Sequence, residues 1–163
     1  MTRRWAQRAA IALLASVILM VGAGCGAQYP RDTHGSLRAA TGGSLRVGVS
    51  ANPPWTEVGA DGEVGGSEAR LVESYAASIG ATVRWRVGAE SVLAEEIDEG
   101  QLDVVIGGLT SSSPWTEKMA FTRPYATVQS PNGDSVKMVM ATRPGENALL
   151  VSLERFLAHQ DRR

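Results

Sequence analysis

Three β-branched residues, Val104-Val105-Ile106, run into Gly107-Gly108 and then into the hydroxyls of Thr110, Ser111, Ser112 and Ser113. No other stretch limits the fold as strongly. The apolar run is too short for an ordinary helix and reads as a buried strand. The two glycines let backbone approach something else closely. Pro114 suits the first turn of a helix, and Ser113 stands where a cap is wanted. A second short strand then leads into Pro124-Tyr125. A strand that ends in glycine and hydroxyls builds a ligand-facing lip at the carboxyl edge of a sheet.

Upstream, the same logic repeats. Leu45-Arg46-Val47-Gly48-Val49 alternates as a strand does. Asn52-Pro53-Pro54-Trp55 is irregular, because two prolines remove two donors. Asp61-Gly62 signals a hairpin turn. Ser67 opens a helix whose Leu71, Val72, Tyr75, Ala76 and Ile79 share one face, and Gly80 closes it. Residues 82–87 read as a strand, 91–99 as a helix carrying Leu93 and Ile97, and 103–107 as the third strand. Strand, helix, strand, helix, strand predicts a βαβαβ unit with a parallel sheet. The chain is therefore expected to be α/β, a single three-layer αβα lobe with a mostly parallel sheet. Beyond Tyr125, residues 130–135 form a turn-rich link. Residues 136–141 read as a strand, with Met138 and Met140 in the core. Arg143-Pro144-Gly145 breaks it, and Asn147 caps a last helix with Leu149, Leu150, Leu153, Phe156 and Leu157 inward. His159 offsets the dipole of that helix.

The amino terminus reads as an export signal. Arg3, Arg4 and Arg8 precede an almost uncharged run from Ala9 to Gly24, the pattern of a secretory leader over 1–24. Arg3-Arg4 also hints at a twin-arginine signal. Cys25 is the single cysteine, so no disulfide forms within the chain, and a lone thiol in an exported protein asks for a reason. Val21-Gly22-Ala23-Gly24-Cys25 resembles a bacterial lipobox, with Gly22 in place of the usual Leu. The resemblance implies lipidation at Cys25, and simple cleavage of the leader is the alternative. Residues 25–44 are rich in Gly, Thr, Ser and Ala and read as a flexible tether, with His34 solvated within it. The leader holds three of the 16 basic residues and none of the 17 acids, which leaves 13 against 17, a net charge of −4. That balance argues against nucleic acid and against electrostatic attachment to anionic lipid.

The order of these features resembles the bacterial solute-binding proteins of family 3, the amino-acid-binding type that serves ABC transporters. Gly108-Leu109-Thr110, Ser113-Pro114 and Phe121-Thr122-Arg123-Pro124-Tyr125 match its lip pattern. Residues 45–49, Pro54-Trp55, Asp61-Gly62 to Gly66, and Gly100 to Asp103 match its first lobe. The stretch 136–158 resembles the return segment of that lobe. The resemblance implies a lobe like one half of a type II periplasmic binding protein, over 45–161. Where the family carries a second lobe, this chain has a link of about ten residues, too little for a core.

The resemblance also implies a ligand rim of Asn52, Trp55, Glu90, Gly108, Thr110 and Trp115. Asn52 and Glu90 fall where the family has cleft aromatics. Trp115 falls where it has the arginine that grips a carboxylate in a bidentate pair. Trp55 and Trp115 could be ligand platforms, or could simply cover the top of a lobe without its partner. Thr110 could meet a ligand or cap the helix expected at Pro114, and Glu90, Glu95 and Glu96 read as a solvated helix face. With both histidines outside the body of the lobe, no catalytic triad, zinc site or Walker loop can be assembled. No cofactor, metal or enzymatic activity is expected. The expected partners are a small polar solute, membrane transporter subunits and the membrane through Cys25. A homodimer or a protein partner at the open rim is the rival reading.

Overall fold

Residues 29–130 and 132–160 are described by a computed structural model. The leader, Cys25 and its lipobox, and the head of the expected tether lie outside the described residues. The elements in chain order are α1 (Ser36–Ala40), β1 (Ser44–Val49), β2 (Glu57–Val58), β3 (Val64–Gly65), α2 (Ser67–Ser78), β4 (Thr82–Val87), α3 (Glu90–Asp98), β5 (Val104–Ile106), β6 (Ala120–Phe121), β7 (Ala126–Gln129), β8 (Ser135–Met138), β9 (Ala141–Thr142) and α4 (Asn147–Gln160). The main sheet runs β4-β1-β5-β9-β6. Its first three strands are parallel, and β9 is antiparallel to both β5 and β6. This is the α/β lobe that the spacing predicts.

Alternation along the strands divides the core into two layers. Leu45, Val47 and Val49 of β1, with Val104 and Ile106 of β5, face α2 and α4, where Val72, Tyr75, Leu149 and Leu153 are buried. Val105 faces the other way, onto Leu93 and Ile97 of α3, with Leu102, Leu109 and Met119. Full burial of each such side chain stabilises by about 1.5–3 kcal/mol. Gly48 faces this second layer, where a side chain would collide with Leu93 and Leu102.

Three local expectations are corrected. The strand expected over 136–141 is two strands, β8 and β9, which belong to different sheets. Its bend at Val139-Met140 is pinned where Val139 N–H donates to Leu109 and Met140 N–H to Thr122 Oγ1. The residues after Pro114 make a single turn closed by Lys118 and Met119 N–H on the Trp115 carbonyl, with no regular helix. Ser113 Oγ accepts the N–H of Thr110, behind it, so it braces the loop rather than capping a helix.

The third correction concerns the tether. From Asp32 onward it is folded, and it closes the lobe. Ala40 of α1 is 1% exposed within the first core layer. Asp32 Oδ1 accepts the N–H groups of Ala148 and Leu149 at 2.7 and 2.9 Å, while its Oδ2 accepts Leu37 N–H. The cap of α4 thus comes from a residue more than a hundred positions away, where Asn147 was expected to supply it. His34 is exposed, as expected, but it is tied down: its backbone N–H donates to Glu146 Oε1, and its Nδ1 lies 2.9 Å from the same oxygen. Burial pushes the Glu146 carboxyl up, but hydrogen bonds from Ser36 and His34 outweigh it and hold the group below the usual range. Replacing a capping carboxylate costs about 0.5–2 kcal/mol. Asp32→Ala, which strips three N–H groups at once, is expected to lie at the upper end of that range. Urea unfolding of the two forms checks it, and an unchanged midpoint would show that the strap contributes nothing.

Candidate functional site at the carboxyl edge of the sheet

The parallel strands end level with one another. Val49 is in register with Val87 on one side and Ile106 on the other. The segments after β1, β4 and β5 therefore emerge at the same edge, and they carry all six of the residues singled out from sequence. Asn52 and Trp55 follow β1, Glu90 follows β4, and Gly108, Thr110 and Trp115 follow β5.

Backbone constraints shape the inner part of this rim. Ser50 N–H donates to the Ile106 carbonyl, and Asn52 Nδ2 donates to the Gly107 carbonyl at 3.0 Å, so the β1 and β5 loops are stitched together. Gly108 has φ 67°, and a methyl group there would collide with Asn52 Nδ2 and stand 2.9 Å from Trp55 Cδ1. Only glycine satisfies both the left-handed backbone and this close approach. Thr110 Oγ1 lies 3.0 Å from Ser112 Oγ. The lip is anchored on its far side too: Ser111 N–H donates to the Lys137 carbonyl, and Thr110 bridges to Met138.

The residue that organises the rim was not among those read from sequence. Glu68, in the first turn of α2, is 0% exposed. Its Oε2 accepts the N–H groups of both Gly107 and Gly108, at 2.9 and 3.0 Å, and its Oε1 accepts the Tyr125 hydroxyl at 2.5 Å. Burial raises the Glu68 carboxyl above the ordinary carboxylate range, although all three hydrogen bonds pull it down. Tyr125 is pushed up by burial and by the adjacent Glu68 charge, so it remains a donor. The glycine amides are consequently spent on Glu68, and what Gly108 can offer a ligand is its carbonyl. The available signal was weak: an acid directly behind Gly65-Gly66-Ser67 reads as a dipole partner for a helix start, and nothing in it says that the side chain turns inward.

The two tryptophans differ. Trp55 stands beside the start of α2, where its carbonyl accepts Glu68 N–H, and its indole N–H has no partner among the described residues. Trp115 packs against the second core layer, half-buried, and its Nε1 donates to Glu90 Oε2 at 3.0 Å. Since β1 lies between β4 and β5, this bond straps the two outer loops together across the end of the central strand. On the acidic face of α3, Glu96 pairs with Arg86 and Glu95 with Lys118, and Glu95 stays exposed as expected of a solvated face.

Downstream of the rim the chain forms a hairpin. β7 and β8 pair antiparallel over Ala126–Gln129 and Ser135–Met138, and the turn is closed by Gly133 N–H on the Ser130 carbonyl. The short link expected at 130–135 is the tip of this hairpin, beside the lip. An αβα lobe with an open carboxyl edge and a hairpin beside it is one half of a two-lobed binding protein.

The comparisons give that class a family. The chain belongs to the bacterial extracellular solute-binding proteins, family 3, whose family model matches residues 45–162. Among solved structures, the arginine-bound form of domain 1 from TmArgBP is similar with a TM-score of 0.65 at 24% identity, over 75% of this chain and 97% of that one. A point mutant of the same domain reaches 0.68 at 23% identity, over 78% and 99%. An ancestral amino acid-binding protein, a precursor of cyclohexadienyl dehydratase, gives 0.67 at 14% identity, over 78% and 93%. Among curated proteins, the membrane-bound lytic murein transglycosylase F of Maricaulis maris (strain MCS10) is 32% identical over 131 residues, 77% of this chain. This chain spans 28% of the length of that relative.

Because burial raises the Glu68 carboxyl, its folded-state value lies above its unfolded one. Its contribution to stability is therefore full below the unfolded pKa and is lost as pH rises through the folded pKa. Gln does not titrate and keeps an acceptor for the two amides. The stability of Glu68→Gln relative to the parent is expected to rise across that window and to level off above it. Denaturant midpoints measured from pH 4 upward check this, and parallel pH profiles would contradict it.

Proposed function

We propose that this protein is an extracytoplasmic, lipid-anchored, single-lobe receptor for a small polar, amino-acid-like solute, and that it serves an ABC-type membrane transporter by equilibrium binding without a covalent step. The observation that carries this reading is the convergence of Asn52, Trp55, Glu90, Gly108, Thr110 and Trp115 on one open edge of the sheet. The Gly108 carbonyl and the Thr110 hydroxyl would accept from the solute, with Trp55 and Trp115 as platforms. A lobe of this extent is sufficient in a relative: domain 1 of TmArgBP is described in an arginine-bound form, and the similarity spans 97% of it. The family is extracellular by description. Signal cleavage after residue 24 with lipid on Cys25 would hold the lobe at the outer face of the cytoplasmic membrane. Since the strap is folded from Asp32, few residues separate that anchor from the fold.

A second reading has its own support. The transglycosylase relative carries its matched region within a much longer protein, so a family 3 module also occurs outside free-standing receptors. In this reading the chain is an interaction or regulatory lipoprotein whose rim docks a protein partner or a second copy of itself.

Isothermal titration against amino acids and other small polar solutes separates the two. The first reading expects saturable heat with one site per chain, and Thr110→Val is expected to weaken it about tenfold, which is about 1.4 kcal/mol. Silence across the panel from a folded sample, together with concentration-dependent dimerisation through the tryptophan edge, would remove the first reading and support the second.

A further inference from the structure

Resting on the solute-binding reading, we propose that the rim selects a cationic amine or guanidinium group and makes no use of a ligand carboxylate. Its free hydrogen-bonding capacity is mostly acceptor. The Gly107 and Gly108 amides are taken by Glu68, the first amide hydrogen of Asn52 by the Gly107 carbonyl, and the Trp115 N–H by Glu90. What remains unpartnered is the Gly108 carbonyl, Asn52 Oδ1 and Glu90 Oε1, against the Trp55 N–H and the second Asn52 amide hydrogen. The Thr110 hydroxyl can act in either sense.

Charge points the same way. Glu90 is the only acidic or basic side chain among the six, and the residue bonded to it is an indole where a guanidinium would neutralise it. Glu90 lies in the first turn of α3, so its carboxylate also answers the positive end of that helix. Of the cations near the rim, Arg86 is spent on Glu96 and on the Val87 carbonyl, and Lys118 is paired with Glu95. Lys137 is unpaired and exposed on β8, on the solvent side of the hairpin, since its neighbour Met138 is buried. A carboxylate ligand would thus find one exposed ammonium and no bidentate donor that is not already engaged. A cation would find a carboxylate, a backbone carbonyl and two indoles. Trp55 stands on the α2 side and Trp115 on the α3 side of the sheet edge, and an aromatic face attracts a cation within about 6 Å.

The probes are agmatine, which is arginine without its carboxylate, together with L-arginine, putrescine and glutarate, each titrated calorimetrically into the full chain. Agmatine is expected to bind at least as tightly as L-arginine, and glutarate to be silent. Glu90→Gln keeps an acceptor for the Trp115 N–H but loses the charge, and it is expected to weaken agmatine at least tenfold with an unchanged thermal midpoint. Trp115→Arg is expected to reverse the preference toward L-arginine. Binding of L-arginine or glutarate with agmatine silent would overturn this inference while leaving the solute-binding reading in place. An unchanged agmatine affinity in Glu90→Gln would do the same. Silence of every probe and of the wider amino acid panel would overturn both.

Discussion

The geometry of the rim hangs on one buried carboxylate. Two consecutive glycine amides at the end of β5 turn toward Glu68, that of Gly107 buried and that of Gly108 partly so, and an unpaired buried N–H costs about 1–3 kcal/mol. Glu68 satisfies both with a single oxygen and holds Tyr125 with the other. Three elements meet at this group: α2, the lip after β5, and the segment that leads into the hairpin. The arrangement has a cost of its own, since an isolated charge is expensive to bury, and the upward shift of the carboxyl records it. With the amides engaged, what the lip has left for a ligand is its carbonyl and hydroxyl. The chemistry of the rim follows from what Glu68 leaves unused.

That constraint also frames the exchange at Trp115. An arginine there could grip a carboxylate through two parallel bonds. The indole has one donor, and that donor is used on Glu90. The loop that would have carried a ligand-directed charge instead carries a strap between the β4 and β5 loops. Part of the indole surface is spent on the core layer above α3. Platform and cover, the two roles open to this residue from sequence, are therefore not exclusive: Trp115 covers the core, and what remains exposed of it borders the rim.

The layered fold was legible because period-two and helical spacing are local properties. Val104-Val105-Ile106 and the Leu93–Ile97 spacing each report their own burial. What escaped was chemistry that joins distant segments. Asp32 and Glu146 look like ordinary surface acids, yet one caps α4 across more than a hundred residues and the other is 1% exposed with three hydrogen bonds from the strap. A run rich in Gly, Thr, Ser and Ala has the composition of a tether, and its order comes from partners that composition does not display. The rim was legible in outline because strand ends were predictable. Glu68 was not, since a first-turn acid looks the same whether it faces water or the core. The split between β8 and β9 was hidden for a related reason: the apolar run Met138 to Ala141 continues through the bend, and only the pairing partners change.

A one-sided rim has consequences for any ligand it holds. In a two-lobed clamp, closure removes most of a small ligand from water, and each charged contact strengthens as the local dielectric falls. Here β7 and β8 turn back at Ser130 to Asp134, so a solute on the rim keeps one face in water. Its contacts to Glu90 and the Gly108 carbonyl would then be partly screened, and affinity would rest on those contacts together with indole contact and on how little the site must reorganise. Reorganisation is small by construction: Glu68, Asn52 and the Trp115–Glu90 strap fix the lip before any ligand arrives, and preorganisation lowers the cost of binding. The same rigidity suits a surface completed by another chain, because a partner that covered the rim would desolvate Glu90 and strengthen whatever cation lay beneath it. If the edge serves both, solute capture and partner docking would be coupled: the partner would supply the second face that the hairpin does not.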